Sequence, residues 1–469
     1  RRIFDKNGTV ADAAVATMFC ACVVMAHLCG IGGGFFAIHY DRKRSALKVI
    51  NARETAPLAV NETLFLDNDS QFVGIRSIAV PGQLRGFDAL RLQAGSALPW
   101  ADLLDEAIEL AEKGVPVSGS MATELRRRRT HVVASPELSN LYVSNNTGDL
   151  LKEDELLVNP ALARTLRTVA QNGSDVFYTG VVAQDLVRDV EAAGGGLITL
   201  ADLSNYTAQT EDPMAVKLNQ DWVAWSPGPP SSGLVVAFVT AVLNTFRDKR
   251  HLEDDEKTAH RMVEAFKFAF AHRTGLGDAP LTRENVSKLV GDLQSPAVAH
   301  ETASKIRERP QPHSESYGLK YGMAEDHGSA QVAVLGPSGD AVLVVGSLNW
   351  NFGSLVLSGS TGVLLNNAMA AFSLPGAEDA YDQYPASPSN ALGPGYRPMA
   401  SLAPTAVTDY GGRLVLLAGA TGGPPAITGL AQVLVRTLWM KHTLKEAIDA
   451  GRLHHQLLPD VLHGESIVD

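Results

Sequence analysis

The sequence is poor in cysteine, in basic charge and in long apolar runs, and each shortage excludes a class of protein. Only 3 of the 469 residues are cysteines, too few for a disulfide-dense scaffold, and no zinc spacing is present. Its 40 basic residues face 51 acidic ones, for a net charge of −11, which argues against nucleic acid and anionic membranes as partners. The longest nearly apolar run, residues 13–26, is shorter than the roughly 20 residues of a membrane span. We therefore expect a soluble globular protein, with neither a metal nor a cofactor.

The three cysteines, Cys20, Cys22 and Cys29, crowd into one short segment. Cys20 and Cys22 would point apart on a helix, and three thiols cannot all pair with one another. We expect at least two of them in the core, and they do not fix the redox compartment.

Two further features favour the secretory route. The chain begins with Arg1 rather than Met, so we expect an upstream piece. Asn-X-Ser/Thr sequons, each weak alone, occur at Asn7, Asn61, Asn68, Asn145, Asn172, Asn205 and Asn285.

A β-hairpin is predicted in the last third of the chain. Apolar runs at residues 331–335 and 341–345 flank the turn signal at residues 337–340. Gly328-Ser329 leads into the first strand, and the second runs into Ser347 and Asn349. This arrangement favours Ser329 as a nucleophile with polar partners, although an ordinary hairpin with an exposed serine fits the same pattern.

The N-terminal part predicts a buried helix at residues 7–27 and a strand at residues 35–40, separated by the glycine-rich run at residues 30–34. Because these glycines precede a strand instead of joining a strand to a helix, they do not fit a nucleotide-phosphate loop. A second strand, residues 47–50, leads to Arg53, whose planar fork is suited to a carboxylate. The alternative is that Arg53 simply pairs with Glu54.

Helices dominate the middle of the chain, and strands return after Ser329. Helices are predicted at residues 85–94, 100–113, 160–171, 181–193, 232–246 and 257–272, the last followed by a polar, loop-like stretch at residues 301–318. His260, His272 and Arg273 are interpreted as structural or solvated. A second hairpin is predicted at residues 403–409 and 413–417. Gly422-Gly423 then opens a helix through Trp439, where free backbone N–H groups can hold an oxyanion.

Over nearly its whole length the chain resembles the γ-glutamyltranspeptidases (glutathione hydrolases). The matching motifs are residues 7–14, 30–34, 51–57, 79–82, 349–353, 362–367, 398–405, 419–423, 452–454 and 457–459. The resemblance implies an α+β chain with the N-terminal nucleophile hydrolase fold, a four-layer αββα sandwich of two stacked sheets flanked by helices. It divides the chain into a large-subunit-like part, 1–328, and a small-subunit-like part, 329–469, within one intertwined domain.

The resemblance also implies site roles. Family members cut themselves in front of a Thr, which becomes a one-residue catalytic unit; here the matching residue is Ser329. Ser347 matches a hydroxyl that hydrogen-bonds the nucleophile, and Gly422 and Gly423 match the oxyanion hole. Residues that hold the donor are matched by Arg53, Asn349 and Ser401, the last beside Ala400 where the family has a second serine.

Three further departures from the family pattern bear on activity, and two of them are expected to weaken donor recognition. Ala368 and Ala371 replace two acids that bind the donor's ammonium group, and Gln331 replaces a His. The resemblance therefore implies a γ-glutamyl transferase/hydrolase acting on glutathione-like donors, with an amino acid, dipeptide or water as acceptor, and a heterodimer of its own two fragments once cut. The alternatives are an acylase for glutaryl-like amides and an inactive homologue with a binding role. In the family the upstream piece is commonly a signal or a membrane anchor, so an extracellular or cell-surface location is expected.

Overall fold

A computed structural model describes the protein over residues 1–61, 72–96, 98–247, 252, 255–323, 326–374 and 384–465. Asn68 lies outside the described residues. The strands are, in chain order, β1 Gly34–Asp41, β2 Ala46–Ala52, β3 Val115–Pro116, β4 Leu156–Leu157, β5 Gln209–Glu211, β6 Met214–Lys217, β7 Trp222–Ser226, β8 Ala330–Leu335, β9 Ala341–Ser347, β10 Thr405–Asp409, β11 Leu414–Ala418, β12 Leu453–His454 and β13 His463–Gly464.

The helices alternate with these strands through the first part of the chain and flank them on both sides. They are α1 Arg2–Asp5, α2 Val10–Val24, α3 Gln83–Gln93, α4 Trp100–Lys113, α5 Gly119–Arg127, α6 Arg129–Ala134, α7 Pro136–Tyr142, α8 Pro160–Asn172, α9 Asp175–Tyr178, α10 Val181–Ala192, α11 Leu200–Asn205, α12 Gly233–Asn244, α13 Glu256–Arg273, α14 Arg283–Gln294, α15 Pro296–Lys305, α16 Pro424–Trp439 and α17 Leu444–Asp449.

Two antiparallel sheets form the centre of the molecule. One has the strand order β5-β2-β1-β9-β8, and the other has the order β11-β10-β7-β6. In the first sheet β1 pairs with β9 from Gly34 opposite Ser347 to Tyr40 opposite Ala341. Both sheets therefore combine strands from before and after Ser329.

Successive side chains of the first sheet point to opposite faces, of which one packs against helices and the other against the second sheet. Along β1, Phe35 and Ala37 face a core that also contains α2, α3 and α4. Their neighbour Phe36 packs instead with Leu402, between the two sheets, as period-two alternation dictates. A separate core joins the second sheet to α12, α13 and α16. The resulting order of layers is helix, sheet, sheet, helix.

Local signals explain where the main elements begin. Thr9 and Asp12 form a capping box at the start of α2, each side chain bonding the other's backbone N–H. At α16 Gly423 is the N-cap and Pro424 follows at the first helical position, where a missing N–H costs nothing. The stretch expected to be loop-like from residue 301 is helical as far as Lys305, where α15 ends.

Cys22 and Cys29 are joined by a disulfide, and Cys20 is a half-buried free thiol. Both bonded cysteines lie in the core. Among the described helices, none is long and apolar enough to cross a membrane.

Candidate active site

Ser329 stands at the entrance to β8, immediately before Ala330. The residue is 4% exposed, so the exposed-bend alternative is wrong. The backbone N–H of Gly422 donates a hydrogen bond to the Ser329 Oγ at 3.2 Å. The structure is that of the uncut chain, in which the Ser329 nitrogen still belongs to the peptide bond with Gly328.

The carbonyl of Gly328 is held by the side chain of Ser347. The Ser347 hydroxyl donates to the Gly328 oxygen at 2.6 Å, and its Oγ accepts from the Asn349 N–H at 2.7 Å. Gly328 has a φ of +93°, and a Cβ placed there would lie 2.1 Å from the Asn351 Oδ1. Only glycine fits this position.

Asn349 links this carbonyl to the predicted substrate-binding arginine. Its backbone has a φ of +77°, a conformation that asparagine tolerates better than most residues. The Asn349 Oδ1 accepts from the Arg53 Nη2 at 2.9 Å, while its Nδ2 donates to the Asn367 oxygen at 3.2 Å. The loop after β9 is thereby fixed on both sides.

Arg53 is 1% exposed and uses most of its donors within the protein. Its Nη1 donates to the Glu54 Oε2 at 2.9 Å, and its Nε donates to the Pro398 carbonyl at 3.1 Å. Burial raises the pKa of Glu54, and the Arg53 guanidinium opposes that rise. The local pairing with Glu54, the alternative left open by the sequence, is therefore present together with the contact to Asn349.

The glycine pair lies against the nucleophile and the segment that precedes it. Gly422 and Gly423 have φ values of +117° and +77°, which side chains rarely adopt. A Cβ on Gly423 would lie 2.1 Å from the Asp326 carbonyl oxygen. The pair precedes α16, whose N-terminus carries partial positive charge suited to an oxyanion.

Ser401 binds a carboxylate, and that carboxylate is Asp326. The Ser401 N–H donates to the Asp326 Oδ2 at 2.7 Å, and its hydroxyl donates to the other oxygen. Arg273, 4% exposed, donates from Nη2 to the Ser401 Oγ at 3.4 Å and from Nε to the Ser232 Oγ at 3.0 Å. Arg273 is thus a buried neighbour of the predicted donor site, which the sequence interpretation missed.

Comparisons with known proteins match the chain over almost its whole length. A sequence profile described as Gamma-glutamyltranspeptidase matches residues 1–469. Scoloptoxin SSD14 of Scolopendra dehaani is 40% identical over 466 residues, 98% of this chain and 80% of the relative. Glutathione hydrolase 2 of Arabidopsis thaliana is 34% identical over 98% of this chain and 78% of its own length.

The chain belongs to the γ-glutamyltranspeptidase family.

Solved structures support the same architecture. Cephalosporin acylase from Bacillus halodurans has a TM-score of 0.81 at 24% identity, covering 97% of this chain and 80% of the acylase. Helicobacter pylori γ-glutamyltranspeptidase has a TM-score of 0.61 at 28% identity, covering 68% of this chain and 90% of that protein. The N-terminal nucleophile hydrolase fold predicted from the resemblance is confirmed, and at 24% identity the acylase bears on the fold alone.

Two departures from the γ-glutamyltranspeptidase pattern lie in a short 3-10 helix, Ala368–Ala371. Ala368 and Ala371 are 0% and 1% exposed. Ala368 packs in an apolar cluster with Ala56, Ala79 and Phe372. Both positions where the resemblance implies an acid are therefore buried and apolar.

The third departure, Gln331, lies on the exposed face of β8. A Cβ placed on Gly419 would lie 2.4 Å from the Gln331 Oε1. The Gln331 side chain therefore covers the glycine that follows β11, within the same motif as Gly422.

A cavity of about 730 Å³ lies elsewhere, between α13, residues 310–317 and the C-terminal segment. Its lining includes Glu264, Lys267, Tyr317 and His455, and none of the predicted site residues. This cavity is therefore separate from the predicted site residues.

Proposed function

We propose that the protein is a self-processing γ-glutamyl hydrolase or transferase that uses Ser329 as its nucleophile. The observation that carries the proposal is the hydrogen bond from the Ser347 hydroxyl to the Gly328 carbonyl, with the Ser329 Oγ fixed by Gly422 on the other side of the same peptide bond. A carbonyl that accepts from a buried hydroxyl is polarised for attack.

The proposed cut begins with the Ser329 Oγ adding to the Gly328 carbonyl carbon. Negative charge then develops on the Gly328 oxygen, where the Ser347 hydroxyl donates. When the C–N bond breaks, the hydroxyl proton passes to the departing nitrogen, which leaves an ester and a free Ser329 amine. Water hydrolyses that ester and yields two chains, 1–328 and 329–469.

Turnover of a donor would repeat this chemistry with an external amide. The freed amine of Ser329 acts as the base for its own hydroxyl, because a hydroxyl at its ordinary pKa is a weak nucleophile. The N–H groups before α16 stabilise the oxyanion, and the amine of the donor leaves with the proton, so that the acyl group stays as an ester on Ser329. Water or an amino acid then attacks this ester, takes the acyl group and returns the Ser329 hydroxyl. Ser329 lacks the methyl that restricts χ1 in threonine, so we expect the variant Ser329→Thr to cut itself and turn over faster than the wild-type chain.

The expected preference for donors without an α-amino group follows from the alanines at positions 368 and 371. A donor ammonium bound near Ala368 and Ala371 would have no acid from these two positions, and one charged hydrogen bond contributes about 1.5–3 kcal/mol. Loss of two such bonds corresponds to on the order of a hundredfold or more in kcat/KM. This observation favours a second candidate function, an acylase for glutaryl amides, whose acyl group has no α-amino group.

Purification, denaturing electrophoresis and N-terminal sequencing test the proposal. Two bands with Ser329 at a new N-terminus are expected, and Ser329→Ala should give one band. An uncut wild-type chain without hydrolase activity would contradict the proposal and favour the inactive homologue. In the cut protein, γ-glutamyl and glutaryl anilides assayed side by side distinguish the two donor classes. Glutaryl hydrolysis no faster than that of the Ser329→Ala variant would contradict the acylase function.

We also propose an extracellular or cell-surface location. The Cys22–Cys29 disulfide favours an oxidising compartment. Every sequon asparagine within the described ranges is exposed: Asn7, Asn61, Asn145, Asn172, Asn205 and Asn285. Expression through a eukaryotic secretory pathway should give a product that loses mass on treatment with an N-glycosidase, and an unchanged mass would contradict glycosylation.

A further inference from the structure

The segment 326–328 is held by residues of the predicted site, two of which, Ser401 and Asn349, are predicted to hold the donor. The Asp326 carboxylate is bound by Ser401, and the His327 N–H donates to the Asn349 carbonyl at 2.8 Å. The Gly328 carbonyl accepts from Ser347. Three consecutive residues of the uncut chain thus contact three predicted site residues.

The place that Asp326 occupies is built for an anion. Its carboxylate, in a side chain that is 5% exposed, accepts both the N–H and the O–H of Ser401. The Arg273 guanidinium lies directly behind that hydroxyl, and charge-assisted bonds of this kind are roughly twice as strong as neutral ones. The Asp326 carboxylate is therefore bound by two hydrogen bonds from Ser401, with the Arg273 guanidinium behind them.

The backbone of the same segment lies against Gly423, the second of the two glycines before α16. A Cβ on Gly423 would lie 2.1 Å from the Asp326 carbonyl oxygen, whereas a Cβ on Gly422 would meet nothing within 4 Å. No acyl group therefore fits on the Asp326 side of Gly423. A donor group can occupy this side of Gly423 only after the Asp326 backbone has moved.

We propose that Asp326 takes the place of the donor's carboxylate in the uncut chain, so that the segment 326–328 is an internal ligand of the donor site. This inference rests on the proposed function, since it takes Ser401 to be part of the donor site. The cut at Gly328–Ser329 turns the segment into a free C-terminal end. That end has to leave Ser401 and Gly423 before a donor enters.

Binding of glutarate, the five-carbon dicarboxylate that resembles both donor classes, tests the inference in protein that cannot cut itself. Calorimetry on Ser329→Ala should detect little binding, because Asp326 fills the site. The double variant Ser329→Ala/Asp326→Ala should bind glutarate at least about tenfold more tightly, since the charge-assisted bonds to Ser401 become available. A double variant with no gain over Ser329→Ala overturns the inference.

Two further variants serve as a control and as a replacement in this binding experiment. Ser329→Ala/Glu308→Gln removes an exposed acid that lies earlier in the chain and should bind as poorly as Ser329→Ala; an equal gain there would also overturn the inference. If Asp326→Ala does not fold, Asp326→Asn keeps the shape of the side chain, and a smaller gain of the same sign is expected.

The outcome is separable from the fate of the proposed function. The variants are uncut by design, so glutarate binding decides whether Asp326 occupies the site even if the wild-type chain never cuts itself. Self-cutting of the wild-type chain, measured on a denaturing gel, decides the proposed function independently.

Discussion

Gly328 meets two separate constraints, its backbone angle and the Asn351 side chain beside it. Substitution Gly328→Ala should slow self-cutting by at least about tenfold, because the new Cβ would lie 2.1 Å from the Asn351 Oδ1 and displace the carbonyl from Ser347. The positive φ should also reduce the free energy of unfolding by about 1–2 kcal/mol. A time course on denaturing gels and a urea titration measure the two effects.

Gly318→Ala is the matched control, since Gly318 has a φ of +90° but open space around its Cβ position. It should lower stability by a similar amount and cut at the wild-type rate. Equal cutting rates for the two variants would contradict the role assigned to Asn351.

His27 is a buried histidine that should make stability sensitive to acid. Burial lowers its pKa to about 4, opposed by Glu124, and within the described part of the chain neither ring nitrogen has a hydrogen-bond partner. Since the unfolded chain binds a proton near pH 6.5, stability from His27 is complete above that pH. It is lost as the pH falls towards 4, by up to about 3 kcal/mol.

The variant His27→Phe should flatten this acid dependence in denaturant titrations between pH 7 and pH 4. The exposed His300 supplies the control His300→Gln, which should keep the wild-type slope. An unchanged slope for His27→Phe would mean that other groups govern the acid dependence.

Site residues could be predicted from the sequence where a local motif contains them. They could not be predicted where only a contact between distant parts of the chain brings them to the site. Ser329 was singled out because a glycine and a hydroxyl opened an apolar run, and its role as nucleophile stays a prediction. Asp326 was missed because its partner, Ser401, lies 75 residues away. For Arg53 the sequence offered a substrate carboxylate or Glu54. The buried contacts include Glu54 and also Asn349, a partner that the sequence did not indicate.

At the scale of elements, the hairpin β8–β9 and most of the long helices were predicted correctly because periodicity and turn residues are local signals. The helices α14 and α15 were missed. The strands β5, β6 and β7 were missed. They are three to five residues long and are defined by their neighbours in the sheets instead of by alternation. The disulfide was equally hidden, because only the turn after α2 brings Cys22 to Cys29.

The Cys22–Cys29 disulfide closes the loop of residues 22–29, which is hydrogen-bonded to the site loop around Asn349. The carbonyls of His27 and Leu28 accept from Phe352 at 2.8 Å and from Leu348 at 3.0 Å, on either side of Asn349. Cys22→Ser/Cys29→Ser should lower the free energy of unfolding by about 2.5 kcal/mol, by the entropy of closing so short a loop.

The same variant should raise KM more than it lowers kcat, because Asn349 is predicted to bind the donor rather than to react. Cys20→Ser, at the half-buried free thiol, is the control and should change neither quantity. A loss confined to kcat would contradict the proposed role of the loop.

For the whole molecule, the interleaved sheets predict that cutting does not separate the fragments. Strand β9 pairs along its whole length with β1, and β10 pairs with β7, so each fragment supplies strands to both sheets. On size exclusion in buffer, the cut protein should elute with the uncut Ser329→Ala variant, and the fragments should part only in denaturant. Separation in buffer would contradict this account.

The four-layer order followed from the family resemblance and not from hydropathy alone. The nearly continuous burial along β1 shows that both faces are covered, but the apolar run does not say that one face meets helices and the other a second sheet. That information lies in contacts between Phe36 and Leu402, far apart in the chain.

The position of the sequons has a practical consequence for anyone who follows maturation. All of them precede Ser329 in the sequence, so any sugar would be carried by the longer polypeptide alone. On a gel the longer band would then be diffuse and would sharpen after enzymatic removal of the carbohydrate, whereas the shorter band would migrate at the mass of its amino acids throughout. The smaller product would thus serve as an internal mass standard in every lane.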